Sequence, residues 1–435
     1  MSAGTKAITL SVVFVLLALV VGMTFYSTSV YLDRLTVDGR FTVTQVAFGA
    51  TLSSLAGGVA GLGVARLLRT TRIRLLLVLG GLGSFLAMCA LGASQEPWQL
   101  WAAYIALGAA GSLIGALTLT ELLARTFRPT PGPAITIASS GMSIGGALIP
   151  PIVAVVLDQL GVLMGSVAIG AAILVIATIA AIVVVEPPRI PQDPQSPQED
   201  VAVAPALRGG GQRLWSWLRR NRPTPVMVLL MIGFGLLIMS QNATMIHILR
   251  LATDRGIGGA EIALSVVAAT SFVSRFIGMG VLTRVGIRWF ALAIALCQAA
   301  AQCVLAGATD ITHLLVGAML LGITVGNVFV LSSLFVLSGF SLAQYAGVYA
   351  LVSLAMTLGG AIGPLVLALG ATFLGSYFWP LVAVGIGSAL GGVALVASRI
   401  DSDPRADRAR RRAEREERRR AAEAAPEPAP EPEEC

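Results

Sequence analysis

The segment Ser143-Ile144-Gly145-Gly146-Ala147-Leu148-Ile149-Pro150 recurs 214 residues later as Thr357-Leu358-Gly359-Gly360-Ala361-Ile362-Gly363-Pro364. A second echo, Gly61-Leu62-Gly63-Val64 against Gly278-Met279-Gly280-Val281, lies at an offset of 217. Each copy sits in a long apolar run, so the chain reads as two homologous membrane halves. Many secondary transporters are built this way, with the cargo held between the halves near the bilayer midplane.

Composition agrees with a lipid-embedded chain. Hydrophobic residues make up 56% and charged residues 12% of 435 residues, against roughly 25% charged in soluble domains. Twelve runs are long enough to cross a hydrocarbon core of about 30 Å. In the first half they cover residues 7–31, 44–64, 73–92, 98–123, 133–156 and 161–185; in the second, 224–249, 261–282, 289–308, 311–337, 344–374 and 377–397. The alternating pattern of a membrane barrel is absent, which leaves helices as the spanning elements. The reading is an all-α membrane protein of two pseudo-symmetric six-helix halves, 1–185 and 224–400. Between them lies a linker (186–223), and after them a disordered charged tail (401–435).

The net charge of +7 does not point to nucleic acid, because of where the charge sits. With both termini on one side, that side carries 25 basic residues and the other carries four, Arg34, Arg40, Arg250 and Arg255. Without linker and tail the ratio is still nine to four. The positive-inside rule then puts both termini in the cytoplasm, in a plasma membrane such as the bacterial inner membrane. The first run lacks an A-x-A-like cleavage site and eleven runs follow it, so it reads as span 1. Cys89, Cys297 and Cys303 lie in apolar runs and Cys435 ends the tail; their spacing is not that of metal ligands.

Glu186 to Pro223 carries Pro-Pro and Gly-Gly-Gly and reads as a flexible linker. Within it, Gln212 to Asn221 has the pattern of a short amphipathic helix at the headgroups. The tail interleaves arginines with glutamates, then turns to Ala/Pro/Glu. It reads as a solvated basic anchor beside anionic lipid headgroups. Small residues four apart, such as Gly57/Gly61, Gly141/Gly145 and Gly359/Gly363, allow close helix approach in lipid. The repeated Gly-Gly-Ala-x-x-Pro reads as a pliable, close-packed stretch at the interface between halves, since its proline lacks a backbone donor.

Twelve spans, a long linker after the sixth and these echoes resemble the major facilitator superfamily. More narrowly, the chain is similar to the monocarboxylate transporter and oxalate/formate antiporter branch. The matching residues are Tyr26-Ser27 and Val30-Tyr31-Leu32 in span 1, Ala124-Arg125 after span 4, and Ser140-Gly141, Gly145-Gly146 and Pro150-Pro151 in span 5. His247-Ile248-Leu249, Asp254-Arg255-Gly256 and Arg275 in span 8 complete them. The loops after spans 2 and 8 lack the superfamily's usual acid, so its charge latch is absent or rebuilt, with Glu121 a replacement candidate.

Arg275 is the single basic residue inside a span. A cation near mid-helix costs about 2.5–3.5 kcal/mol on insertion scales. Its guanidinium suits a carboxylate bidentately, and the resemblance implies an arginine there that binds the substrate carboxylate. The competing reading is a structural arginine bonded to helix-end carbonyls or to Glu121. Glu121 precedes Arg125 by four residues, the spacing of a helix ion pair, with proton carriage as the alternative. The resemblance implies a coupling aspartate at the position held here by Ser271, so proton coupling by that route is not expected. The resemblance to oxalate-type antiporters implies a second cation in span 11 for a second carboxylate. Span 11 here has no Lys or Arg, so a single intramembrane cation suits a monoanion better than a dianion. Tyr26, Ser29, Asn242, Asn327 and Tyr349 are further binding candidates, and each equally suits an interhelical hydrogen bond. His247 is a cap or a group titrating near neutrality.

No phosphate-binding loop and no paired metal ligands occur, so neither an ATP-driven pump nor an enzyme is expected, and no cofactor. The expectation is a transporter of a small organic anion (monocarboxylate-like), working by alternating access without an obligate protein partner. The alternatives are efflux of amphipathic drug-like compounds, or a non-transporting receptor or scaffold acting through the basic tail.

Overall fold

The computed structural model describes residues 3–127, 132–184, 224–282, 284–340 and 342–400. Among these, every regular element is helical. Span 1 comprises Ala3–Val21, a π-turn Gly22–Tyr26 and Thr28–Val37; span 2 is Val43–Thr70 and span 3 Ile73–Ala93. Span 4 is two helices, Pro97–Leu113 and Ala116–Thr126, and Gly132–Val183 holds spans 5 and 6. Spans 7 to 12 are Pro225–Asp254, Glu261–Leu282, Ile287–Ala306, Ile311–Gly339, Leu342–Leu374 and Phe378–Ala397. The expected amphipathic segment 212–221 and the tail from 401 lie outside the described residues.

Helix ends follow local chemistry. The Thr42 hydroxyl accepts from the Gln45 amide while the Gln45 side chain accepts from Thr42 N–H, a reciprocal capping box. Pro97 and Pro225 stand at first-turn positions, where the missing N–H has no cost. Asp310 accepts from the Thr312 and His313 amides and starts span 10.

Two breaks depart from the uninterrupted runs read from hydropathy, both in the first half. Span 1 passes through the π-turn, where the Ser27 amide reaches the Gly22 carbonyl at 2.9 Å. Span 4 breaks at Ile114–Gly115. Spans 5 and 6 meet without a loop: Gly161 alone reverses the chain at φ 73°, a left-handed conformation glycine adopts without a Cβ clash. The runs 133–156 and 161–185 read from the sequence meet at this glycine.

The glycine–proline stretches divide their contacts. A Cβ on Gly145 would strike the Ala18 carbonyl of span 1, and one on Gly359 the Gly235 carbonyl of span 7. Those two glycines therefore pack each helix within its own half, while Ala147 and Ala361 of the same stretches meet the other half. Gly146 lies against Tyr26 of its own half and Ala268 of span 8 across the interface, whereas Gly360 lies against Asn242 and Ile238 of its own half.

Contacts between the halves run along spans 2 and 11, 5 and 8, and 1 and 7. They include Thr44 with Thr372 at 3.1 Å, Thr51 with the Ala361 carbonyl at 2.6 Å, and Ser265 with the Ala147 carbonyl at 2.5 Å. Ser29 accepts from the Leu249 amide at 3.3 Å, and Arg250 donates to Thr36 at 3.1 Å. These bonds lie from mid-membrane to the end remote from the chain termini, so that end is closed.

Candidate functional site

Arg275 projects from span 8 about 15 Å, by helical rise, below the Ser265 contact. It is half-buried and, among the described residues, its guanidinium makes no hydrogen bond or ion pair. Span 10 comes close because Gly326 has no side chain: a Cβ there would strike the Ser271 carbonyl and crowd Arg275 Cγ. Tyr26 stands within electrostatic reach of Arg275. Its ring is wedged at Gly146 and Ala268, two turns along span 8 from Arg275, on the closed side. The π-turn ends at Tyr26. Such turns recur at functional sites, because the extra residue redirects side chains from the helix register.

The other sequence candidates are more dispersed. Ser29, fully buried, is taken up by the Leu249 amide one turn beyond Tyr26. Asn242 donates to the Gly360 carbonyl at 3.2 Å. That carbonyl is the one Pro364 leaves without a helical donor, so the amide completes the bend in span 11. His247 continues the same support: Nε2 lies 2.9 Å from the Pro364 carbonyl and Nδ1 3.1 Å from the Tyr377 hydroxyl. A carbonyl only accepts, so Nε2 carries the proton and Nδ1 accepts from the tyrosine. The cap reading of His247 fits these partners.

Asn327 donates to the Ile323 carbonyl at 2.8 Å and reaches Ser274 at 3.4 Å, tying span 10 to span 8 beside Arg275. Ser271 is fully buried with its hydroxyl unpartnered among the described residues. Tyr349 stacks on Tyr345 at 5.6 Å toward the terminus-bearing end of span 11. Glu121 accepts from Arg125 Nε at 3.1 Å, and Arg125 also donates to the Leu68 carbonyl at 2.9 Å. The pair thus braces span 4 against the end of span 2.

A polar cluster was missed because hydropathy placed it just past span 1. Arg34 bonds Asp33 at 2.7 Å, Asp158 of span 5 at 2.7 Å and, across the halves, Glu261 of span 8 at 3.4 Å. Three carboxylates thus surround one guanidinium, each within ion-pair distance. The available signal was that Asp33, Arg34, Asp158 and Glu261 all stand at ends of apolar runs on the side remote from the termini. Elsewhere, an apolar groove of about 620 Å³ on the flank of spans 3 and 4, lined by Ala90, Trp98 and Ala102, has no charged side chain. Among the described residues no His/Cys/Asp/Glu group could hold a metal.

The sequence profile of the Major Facilitator Superfamily matches residues 14–284 and 236–430. The protein belongs to the major facilitator superfamily. No curated protein sequence matches the chain. Among solved structures, this superfamily member resembles a bacterial homolog of the human lysosomal transporter Spinster, in an inward-facing and unoccupied conformation. The identity is 15% over 92% of this chain and 95% of that one, with a TM-score of 0.64. It also resembles the nucleoside transporter NupG, at 18% identity over 91% of this chain and 98% of that one, with a TM-score of 0.67. At such identities the shared property is the twelve-helix fold, and with the family it makes this chain a membrane transporter.

Proposed function

We propose that the protein carries a small organic monoanion by alternating access, with Arg275 as the carboxylate-binding group. The observation that supports this reading is the Arg275 guanidinium, half-buried at membrane depth and without a protein partner among the described residues. A cation so placed is costly until an anion neutralises it, and its planar donors match a carboxylate. Tyr26 covers the cation on the closed side, and Asn327 holds spans 8 and 10 together beside it. The anion enters from the terminus-bearing side, which is the cytoplasmic side under the positive-inside rule. Ser271 offers no carboxyl for proton coupling, and Glu121 is engaged by Arg125, so exchange or facilitated movement is the expected mode.

The test is uptake of labelled monocarboxylates by proteoliposomes, with and without a pH gradient, for the intact protein and Arg275→Gln. Charge-assisted hydrogen bonds contribute about 1.5–3 kcal/mol, so the variant should bind acid roughly ten- to a hundredfold more weakly. A labelled nucleoside, uncharged, serves as the comparison. Acid uptake abolished by the substitution supports the reading. Equal uptake by the variant, or uptake of nucleoside but no acid, overturns it and leaves Arg275 a structural role.

A further inference from the structure

The 214-residue offset of the glycine–proline echo extends to two hydroxyl residues and their acceptors. Thr51 of span 2 and Ser265 of span 8 are 214 apart, and so are Ala147 of span 5 and Ala361 of span 11. Thr51 Oγ1 donates to the Ala361 carbonyl and Ser265 Oγ to the Ala147 carbonyl. Each bond crosses from one half to the other, so each half supplies one hydroxyl and one carbonyl. We infer that these two bonds are a matched pair of latches that hold the end remote from the termini closed, and that both break when that end opens to cargo. The inference rests on the superfamily fold and is independent of the nature of the cargo.

The two latches differ in what each half does after release. Ala147 lies four residues before Pro151, which has no N–H, so its carbonyl has no helical donor and Ser265 supplies one. Ala361 lies four residues before Leu365, whose amide is an ordinary helical donor. Thr51 also has a fallback, the Ala47 carbonyl of its own helix at 3.1 Å. A hydroxyl has one proton, so it chooses between Ala361 and Ala47 by rotation about the Cβ–Oγ1 bond. Opening therefore leaves Thr51 satisfied within span 2 and leaves the Ala147 carbonyl to water. The Ser265 latch is the stronger determinant of closure, and the Thr51 latch the more readily reversed.

The test measures opening directly. Spin labels at Asp38→Cys and Gly258→Cys, in the remote loops of the two halves, are introduced with Cys89, Cys297, Cys303 and Cys435 replaced by serine. Pulsed electron-resonance distances are then recorded in lipid nanodiscs without cargo. A net hydrogen bond corresponds to about a fivefold change in an equilibrium. Thr51→Val should raise the ratio of long to short distances about fivefold on that basis. Ser265→Ala should raise it more, and the double variant should show a distinct long-distance component. Thr51→Ser and Ser265→Thr keep the hydroxyl and should match the parent, which separates latch loss from a packing defect. A double variant without a longer component, or Thr51→Ser behaving as Thr51→Val does, would overturn the inference.

Discussion

In the C-terminal half, spans 7, 9 and 12 are joined by buried side-chain bonds. Gln298 donates to the Leu237 carbonyl and to Ser388, each at 2.9 Å, and Gln302 donates to the Ser240 carbonyl and to Thr244. Ser388 donates back to Gln302 at 3.0 Å, and Ser240 to the Val384 carbonyl at 2.8 Å. In the N-terminal half, the positions 214 residues before the two glutamines hold Ser84, whose buried hydroxyl is unpartnered among the described residues, and Met88. The helix breaks at the π-turn and at Ile114–Gly115 also fall in this half, whereas spans 7 and 10 run unbroken. The repeated signature therefore specifies close helix contact in both halves and stiffness in neither. Side-chain stitching comes from the buried amides of Gln298 and Gln302, to which the first half has no counterpart among its described residues.

The largest effects should be equal between the halves. Gly145→Leu and Gly359→Leu each drive a side chain into a backbone carbonyl. Each should lower stability by about 3 kcal/mol or more, read as the midpoint of thermal unfolding in detergent. Markedly unequal losses would break the symmetry of the signature. Next, Gln302→Leu removes three buried bonds, each worth about 0.6 kcal/mol in a membrane interior, for a loss of about 2 kcal/mol. Ser84→Ala should leave the same midpoint unchanged, and a loss as large as that of Gln302→Leu would show the halves equally stitched. Asn242→Ala orphans the proline-freed Gly360 carbonyl and should cost about 1 kcal/mol, with the destabilisation reported by hydrogen exchange in span 11. Smallest is Glu121→Gln: the pair is partly exposed, and the change should stay within about 0.5 kcal/mol.

The twelve crossings were legible because apolar runs of sufficient length have one reading in lipid, and the echo at Gly145 and Gly359 paired the halves. The breaks in span 1 and span 4 were not. A π-turn and a helix interruption at Ile114–Gly115 change hydrogen bonding without changing hydropathy. For the site, Arg275 stood out because a charge in an apolar run has few explanations. Asn242 and His247 did not declare their roles, since which neighbour a helical side chain meets depends on packing. The need that Asn242 meets was visible all the same: Pro364 leaves the Gly360 carbonyl open, and a buried carbonyl takes a donor from a side chain or water.

The π-turn in span 1 holds one residue more than an α-helical turn would. A residue advances an α-helix by about 100°, so removing one from Gly22–Tyr26 would swing the remainder of the helix by that angle. Ser29 and Thr36 would leave Leu249 and Arg250, and Arg34 would turn from Asp158 and Glu261. Span 7 contains no such extra residue. The one extra residue thus sets which face of span 1 meets span 7, a setting that span 7 itself does not share.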